Sequence, residues 1–136
     1  MSYQITVSED RAYVRVSVHG PVTIPMARKY TEESAALGAR LGIRSFLFDV
    51  RGAPNVETPL PIYRFAYEEL PAFPLDPGAS SAILASPGDE SHDFVEVSLK
   101  NAGFDVRLFR DEESAVGWLL ERKQALAAPC GTGTTS

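Results

Sequence analysis

The stretch Ser45-Phe-Leu-Phe-Asp-Val-Arg-Gly52 constrains this chain more than any other. Large apolar residues stand at three consecutive positions, Phe46, Leu47 and Phe48, so neither side of an extended segment here can face water. Such a strand belongs in the middle of a mostly parallel sheet with helices on both faces. The stretch then turns polar at Asp49, Arg51 and Gly52 and enters a proline-containing loop. Ligands of open α/β sheets bind beyond the carboxyl ends of central strands. The segment from Asp49 to Thr58 is therefore the first place to look for a site.

The flanking patterns complete one α/β domain. Tyr3, Ile5 and Val7 alternate with polar residues, as do Val14, Val16 and Val18, which predicts a hairpin joined through Glu9-Asp10. Thr23 two residues before Pro25 is an N-terminal helix signal, and Gly42 is a C-terminal one. A helix over 24–41 follows, with Met26, Tyr30, Leu37 and Leu41 as its apolar stripe. A second helix is predicted over 61–70 and closed by Pro71 and Pro74. Ser81 to Ala85 reads as a short buried strand. A third helix, capped by Ser91, carries Phe94, Val95, Leu99 and Ala102. Phe104 to Phe109 alternates as the last strand. Asp111 caps a final helix whose buried residues are Ala115, Trp118 and Leu119. The predicted order is β-β-α-β-α-β-α-β-α, a single domain over 1–128 with a five-stranded, mostly parallel sheet. Residues 129–136 form a tail of flexible composition, expected to rest on its own domain or on a neighbouring copy.

Size and charge exclude several functions. The chain has 136 residues, 44% hydrophobic and 23% charged, the composition of an ordinary globular domain. A net charge of −5 argues against nucleic-acid and anionic-membrane partners. No apolar run reaches the ~20 residues of a bilayer span, and the start lacks a signal-peptide pattern. With one cysteine, Cys130, no internal disulfide forms, and a cytoplasmic location is expected.

Chemistry-bearing residues are sparse. Asp49 lacks the neighbouring carboxylates that would hold magnesium for phosphoryl transfer. Arg51 and Gly52 offer a guanidinium and a free amide to an anion, or the arginine ties down its own loop. Ser91, His92 and Asp93 are adjacent in sequence and point in different directions, which a catalytic triad cannot use. His19 and His92 give no metal spacing. The most unusual segment is the ring-rich second helix. Tyr63 and Tyr67 share one face, and Phe65 and Phe73 lie nearby. These rings fill the core, form a self-association face or line a ligand pocket. No catalytic residue, metal or cofactor is assigned.

Several phrases carry a family likeness: Phe46-Leu-Phe-Asp-Val-Arg-Gly52, Tyr63-Arg-Phe-Ala66, Ala82-Ile-Leu-Ala85 and the run from Asn101 to Leu119. Over residues 3 to 122 the chain resembles the SpoIIAA-like branch of the STAS superfamily, small bacterial proteins also related to CRAL-TRIO lipid-binding domains. The resemblance implies a non-enzymatic interaction or regulatory module, a homodimer or a complex with a protein partner. The alternative is a carrier of a small hydrophobic or anionic, lipid-like ligand. Signalling members are switched by phosphorylation of a serine at the start of the helix after the central strand. Here no Asp-Ser-Ser-Gly phrase is present, and between Asp49 and Tyr63 the only hydroxyl is Thr58, which becomes the candidate phosphosite. Asp49, Arg51, Gly52, Thr58, Tyr63 and Tyr67 are the candidate ligand- or partner-binding residues.

Overall fold

The computed structural model describes residues 3–72, 76 and 78–127. Phe73 and the tail with Cys130 lie outside the described residues. The elements are β1 (Tyr3–Val7), β2 (Val14–Val18), α1 (Ile24–Leu41), β3 (Ser45–Asp49), α2 (Pro59–Arg64), β4 (Ser80–Leu84), α3 (Asp93–Asn101), β5 (Asp105–Phe109) and α4 (Glu112–Ala127). They make one five-stranded sheet in the order β1-β2-β3-β4-β5. β1 is antiparallel to β2 and the other neighbours are parallel. The strand built on Phe46-Leu-Phe48 is thus the middle one, as its apolar run requires.

The layering follows from this order. Three crossovers, β2 to β3, β3 to β4 and β4 to β5, step across the sheet in one direction. Right-handed connections of that kind put all their helices on one face. Val16, Val50, Ile83 and Val106 accordingly meet Ala27 and Tyr30 of α1, Phe65 and Leu70 beyond α2, and Val95 and Leu99 of α3. The opposite face is left to α4, whose Ala115 and Leu119 pack on Leu47, Ala82 and Leu84.

Local chemistry sets the ends. Thr23 is extended, its hydroxyl accepts from the Met26 amide, and Gly42 closes α1 at φ 72°. Asp111 accepts from the Ser114 amide and caps α4. Three expectations are corrected. The buried stripe of α1 is Ala27, Tyr30, Ser34 and Gly38, while Met26, Leu37 and Leu41 only flank it. Ser91 does not cap α3. Its hydroxyl donates to Asp89 and accepts from the Asn55 amide, and Phe94 is exposed. The second helix begins at Pro59, since proline fits a first turn that needs no amide donor. It then widens into a π turn over Phe65–Glu69 and tightens into a 3-10 turn over Leu70–Ala72.

Candidate functional site

Two places gather the side chains of interest, one on each face of the sheet. At the carboxyl end of β3, on the α4 face, Asp49 sits between two guanidinium groups. Arg15 of β2 reaches it at 2.6 Å and Arg51 at 2.8 Å. Glu112 at the start of α4 accepts from the same two arginines, at 3.1 and 3.2 Å. Two cations and two anions therefore satisfy one another, and Arg51 holds its own loop in place. The Gly52 amide, which the sequence offered to an anion, donates to the Ser86 hydroxyl at 2.9 Å. Thr58 is exposed just ahead of α2, and its side chain makes no capping bond. Ser91 and His92 form no triad: the Nε2 of His92 lies 2.9 Å from the Ala53 carbonyl. No cluster of three or more metal-ligating side chains occurs among the described residues.

Burial by itself would raise the pKa of Asp49, but the hydrogen bonds and charge of Arg51, with Arg15, hold it below the usual carboxylate value. The sign of the resulting pH dependence is fixed. A lowered folded-state pKa contributes stability above the unfolded value of about 4, and that stability is lost as pH falls through the folded value. Melting temperature is expected to decline from about pH 5 downward, and more shallowly in Asp49→Asn than in the wild type. Equal slopes in a melting series against pH would contradict this role.

The second place is a partly open cavity of about 440 Å³ on the other face, lined by residues of α1, β3, β4, β5, α2 and α3. Its existence follows from α1. The helix turns Ala27, Thr31, Ser34, Ala35 and Ala39 toward this space, spacings that keep small side chains on one stripe. Large residues of the sheet, Phe46, Phe48, Val50 and Ile83, form the floor, while Ile62, Phe65, Leu70, Val95 and Leu99 form the far wall. The cavity runs the length of β3, from Arg44 and Ala79 at one end to Val22, Asn55 and His92 at the other. Arg28 of α1 spans to Glu69 in the π turn at 2.6 Å and ties the two walls together.

Its polarity is unevenly distributed. The charged residues that line it are paired at its amino-terminal end. Arg44 grips Asp76 at 2.7 and 2.9 Å, and Asp105 binds Arg122 at 2.8 Å and the Ser80 hydroxyl at 2.7 Å. Further in, Ser34 donates to the Thr31 carbonyl. Tyr30 is 8% exposed, packs its ring against Tyr3 and Phe48, and has no hydrogen-bond partner for its hydroxyl among the described residues. Burial pushes the Tyr30 phenol up, so it remains a neutral donor.

Tyr63 and Tyr67 are exposed on the outside of this wall, with ring centroids 4.4 Å apart, while Phe65 between them turns inward. The structure thus separates the sequence-derived site residues into an ion-pair network (Asp49, Arg51), a loop (Gly52, Thr58) and an outer aromatic face (Tyr63, Tyr67). The cavity residues were missed. Their signal was the small-residue periodicity of α1, which a search for large apolar residues passes over.

The described residues form an α/β domain with an apolar cavity under its first helix, and the fold resembles a SpoIIAA-like one. The chain is similar to the crystal structure of an uncharacterised protein of the DUF3478 family, with a SpoIIAA-like fold, from Shewanella loihica PV-4. The two share 18% identity at a TM-score of 0.52, over 87% of this chain and 92% of that one. No protein-family model matches the chain, and no curated protein does. No helix among the described residues is long and apolar enough to cross a membrane.

Proposed function

We propose that this protein is a binding module for a small hydrophobic molecule, held in the cavity between α1 and the π turn after α2. One observation carries the reading. A cleft of about 440 Å³, open to solvent at the end where Arg44 and Asp76 stand, reaches the larger apolar core between α1 and the sheet. Small-molecule sites are pockets of roughly 300–1,000 Å³, mainly apolar with a few polar groups, and this cavity has that size and lining. At about 30 Å³ per water-sized group, it takes a molecule of roughly fifteen heavy atoms.

Butylbenzene is a suitable probe. It is expected to bind the wild type saturably at one site per chain, measured by titration calorimetry. Ala35→Leu puts a good helix former into the cavity and is expected to keep the fold while abolishing binding. Equal binding by both proteins, or none by either, would remove the support for this reading.

A second reading rests on the outer face. Val56, Leu60, Tyr63 and Tyr67 are all exposed in or beside α2. Aromatic residues with a polar tip favour interfaces, which supports self-association or a protein partner through this face. It requires a two-chain mass in light scattering, or a partner whose binding Tyr63→Ser weakens.

A further inference from the structure

We infer that the cavity selects an uncharged ligand carrying a hydrogen-bond acceptor, and that the hydroxyl of Tyr30 is the group that recognises it. The inference rests on the cavity being a ligand site and goes beyond it to the chemical class of the ligand.

The charge argument comes from the lining. Arg44 is the only Lys or Arg that lines the cavity among the described residues, and both edges of its guanidinium are taken by Asp76. The residues outside the described set include no Lys or Arg. A carboxylate or phosphate moved into this space would therefore lose its hydration without gaining a lysine or arginine, a large cost in an apolar setting, and the Nε2 of His92 at the far end is already taken by the Ala53 carbonyl. Aspartates at 76 and 105 stand at the same end and repel an incoming anion. A cationic ligand meets no free carboxylate further in. Only a neutral molecule crosses into the apolar length without such a penalty.

The acceptor argument comes from Tyr30. Its side chain is more than nine-tenths buried and lines the cavity. Its hydroxyl bonds no protein group among the described residues, yet no buried side-chain oxygen or nitrogen there is left without a partner, so the hydroxyl meets open space that water or a ligand can fill. Ala27, Phe48, Val50 and Phe65 of the same lining carry no side-chain acceptor, and the nearby hydroxyls of Thr31 and Ser34 make no bond to it. A carbonyl, ether or alcohol oxygen on a bound ligand would replace water as its partner. The site then discriminates as hydrogen-bonding sites do: a ligand with the oxygen gains the bond, and one without it leaves the donor unsatisfied.

Three nearly isosteric probes separate the claims. Benzylacetone carries a ketone. Hydrocinnamate replaces its methyl group with an anionic oxygen. Butylbenzene replaces the carbonyl with a methylene. For the wild type at neutral pH, benzylacetone is expected to bind at least about tenfold more tightly than hydrocinnamate, and more tightly than butylbenzene, by roughly the factor one hydrogen bond supplies. Tyr30→Phe is expected to lower benzylacetone affinity about fivefold and to leave butylbenzene within twofold. It should also leave the unliganded melting temperature unchanged or raised, because the hydroxyl bonds no protein group that the change would leave unpaired. Hydrocinnamate binding as well as benzylacetone would overturn the charge claim. An unchanged benzylacetone affinity in Tyr30→Phe, or an equal loss for both neutral probes, would overturn the role of the hydroxyl. Failure of butylbenzene itself to bind the wild type would instead strike the cavity reading beneath.

Discussion

Leu47→Ala is expected to destabilise the protein by about 2–5 kcal/mol, the range for truncating a fully buried leucine. Leu47 is wholly inaccessible and lies in the middle strand, on the face that only α4 covers. With one helix on this face, few neighbouring elements can move into the gap, which favours the upper part of the range. The loss would be a large share of the 5–15 kcal/mol that holds a typical domain together. It would lower the melting temperature by roughly 10 °C. Leu60→Ala, at a position 57% exposed, is the control and should stay within about 0.5 kcal/mol. A loss below about 1 kcal/mol for Leu47→Ala by urea denaturation would show that α4 does not seal this face.

Gly38→Ala should also destabilise, although the same change in most helices stabilises. In an exposed helix, alanine gains up to about 1 kcal/mol over glycine. Here a Cβ at residue 38 would lie 2.6 Å from Cζ of Phe46 and 2.7 Å from the Ile43 carbonyl oxygen. Overpacking of this kind costs about 1–3 kcal/mol, so the clash outweighs the propensity gain. Gly38 therefore marks where α1 comes closest to the sheet, and Phe46 fills the space that its missing side chain leaves. The double variant Gly38→Ala/Phe46→Leu relieves the contact with the ring but not the one with the backbone oxygen, and is expected to recover only part of the stability. A gain in stability for Gly38→Ala would show that the helix sits further from the sheet than described.

Much of the fold was readable from residue order. Phe46-Leu-Phe48 marked the middle strand because a run buried on both faces has few other places to go. Thr23, Pro25 and Gly42 marked both ends of α1, since capping depends on side chains two or three residues away. The face that α1 buries was not legible from its large apolar residues. Met26, Leu37 and Leu41 are the most hydrophobic residues of that helix, yet Ala27, Ser34 and Gly38 are the ones turned inward. Small residues give a weak hydrophobic signal whether they serve close packing or leave a void. Only the distance to the opposite wall tells these cases apart. Gly38 is the first case and Ala35 the second.

The candidate site was legible in chemistry but not in place. In the sequence Arg51 reads as a ligand group or as a tie on its own loop, and it bonds Asp49 two residues back, whereas the part of Arg15 and Glu112 in the same network depends on strand register and on where α4 begins. For the ring-rich helix, sequence left core, interface and pocket open together. The residues divide among them: Phe65 faces the cavity, and Tyr63 and Tyr67 face outward. Ordinary helical spacing already puts Tyr63 and Tyr67 on one face and Phe65 off it, but the π turn over Phe65–Glu69 is announced by no residue type.

The most direct test of the cavity reading is the location of bound butylbenzene by isotope-filtered NOE spectroscopy on labelled protein. The predicted result is a set of contacts from the ring and chain of the probe to Val50, Ile83 and Leu99, which line the cavity. Contacts confined to Leu60, Tyr63 and Tyr67 on the outer face would contradict it and leave the interaction surface as the better account.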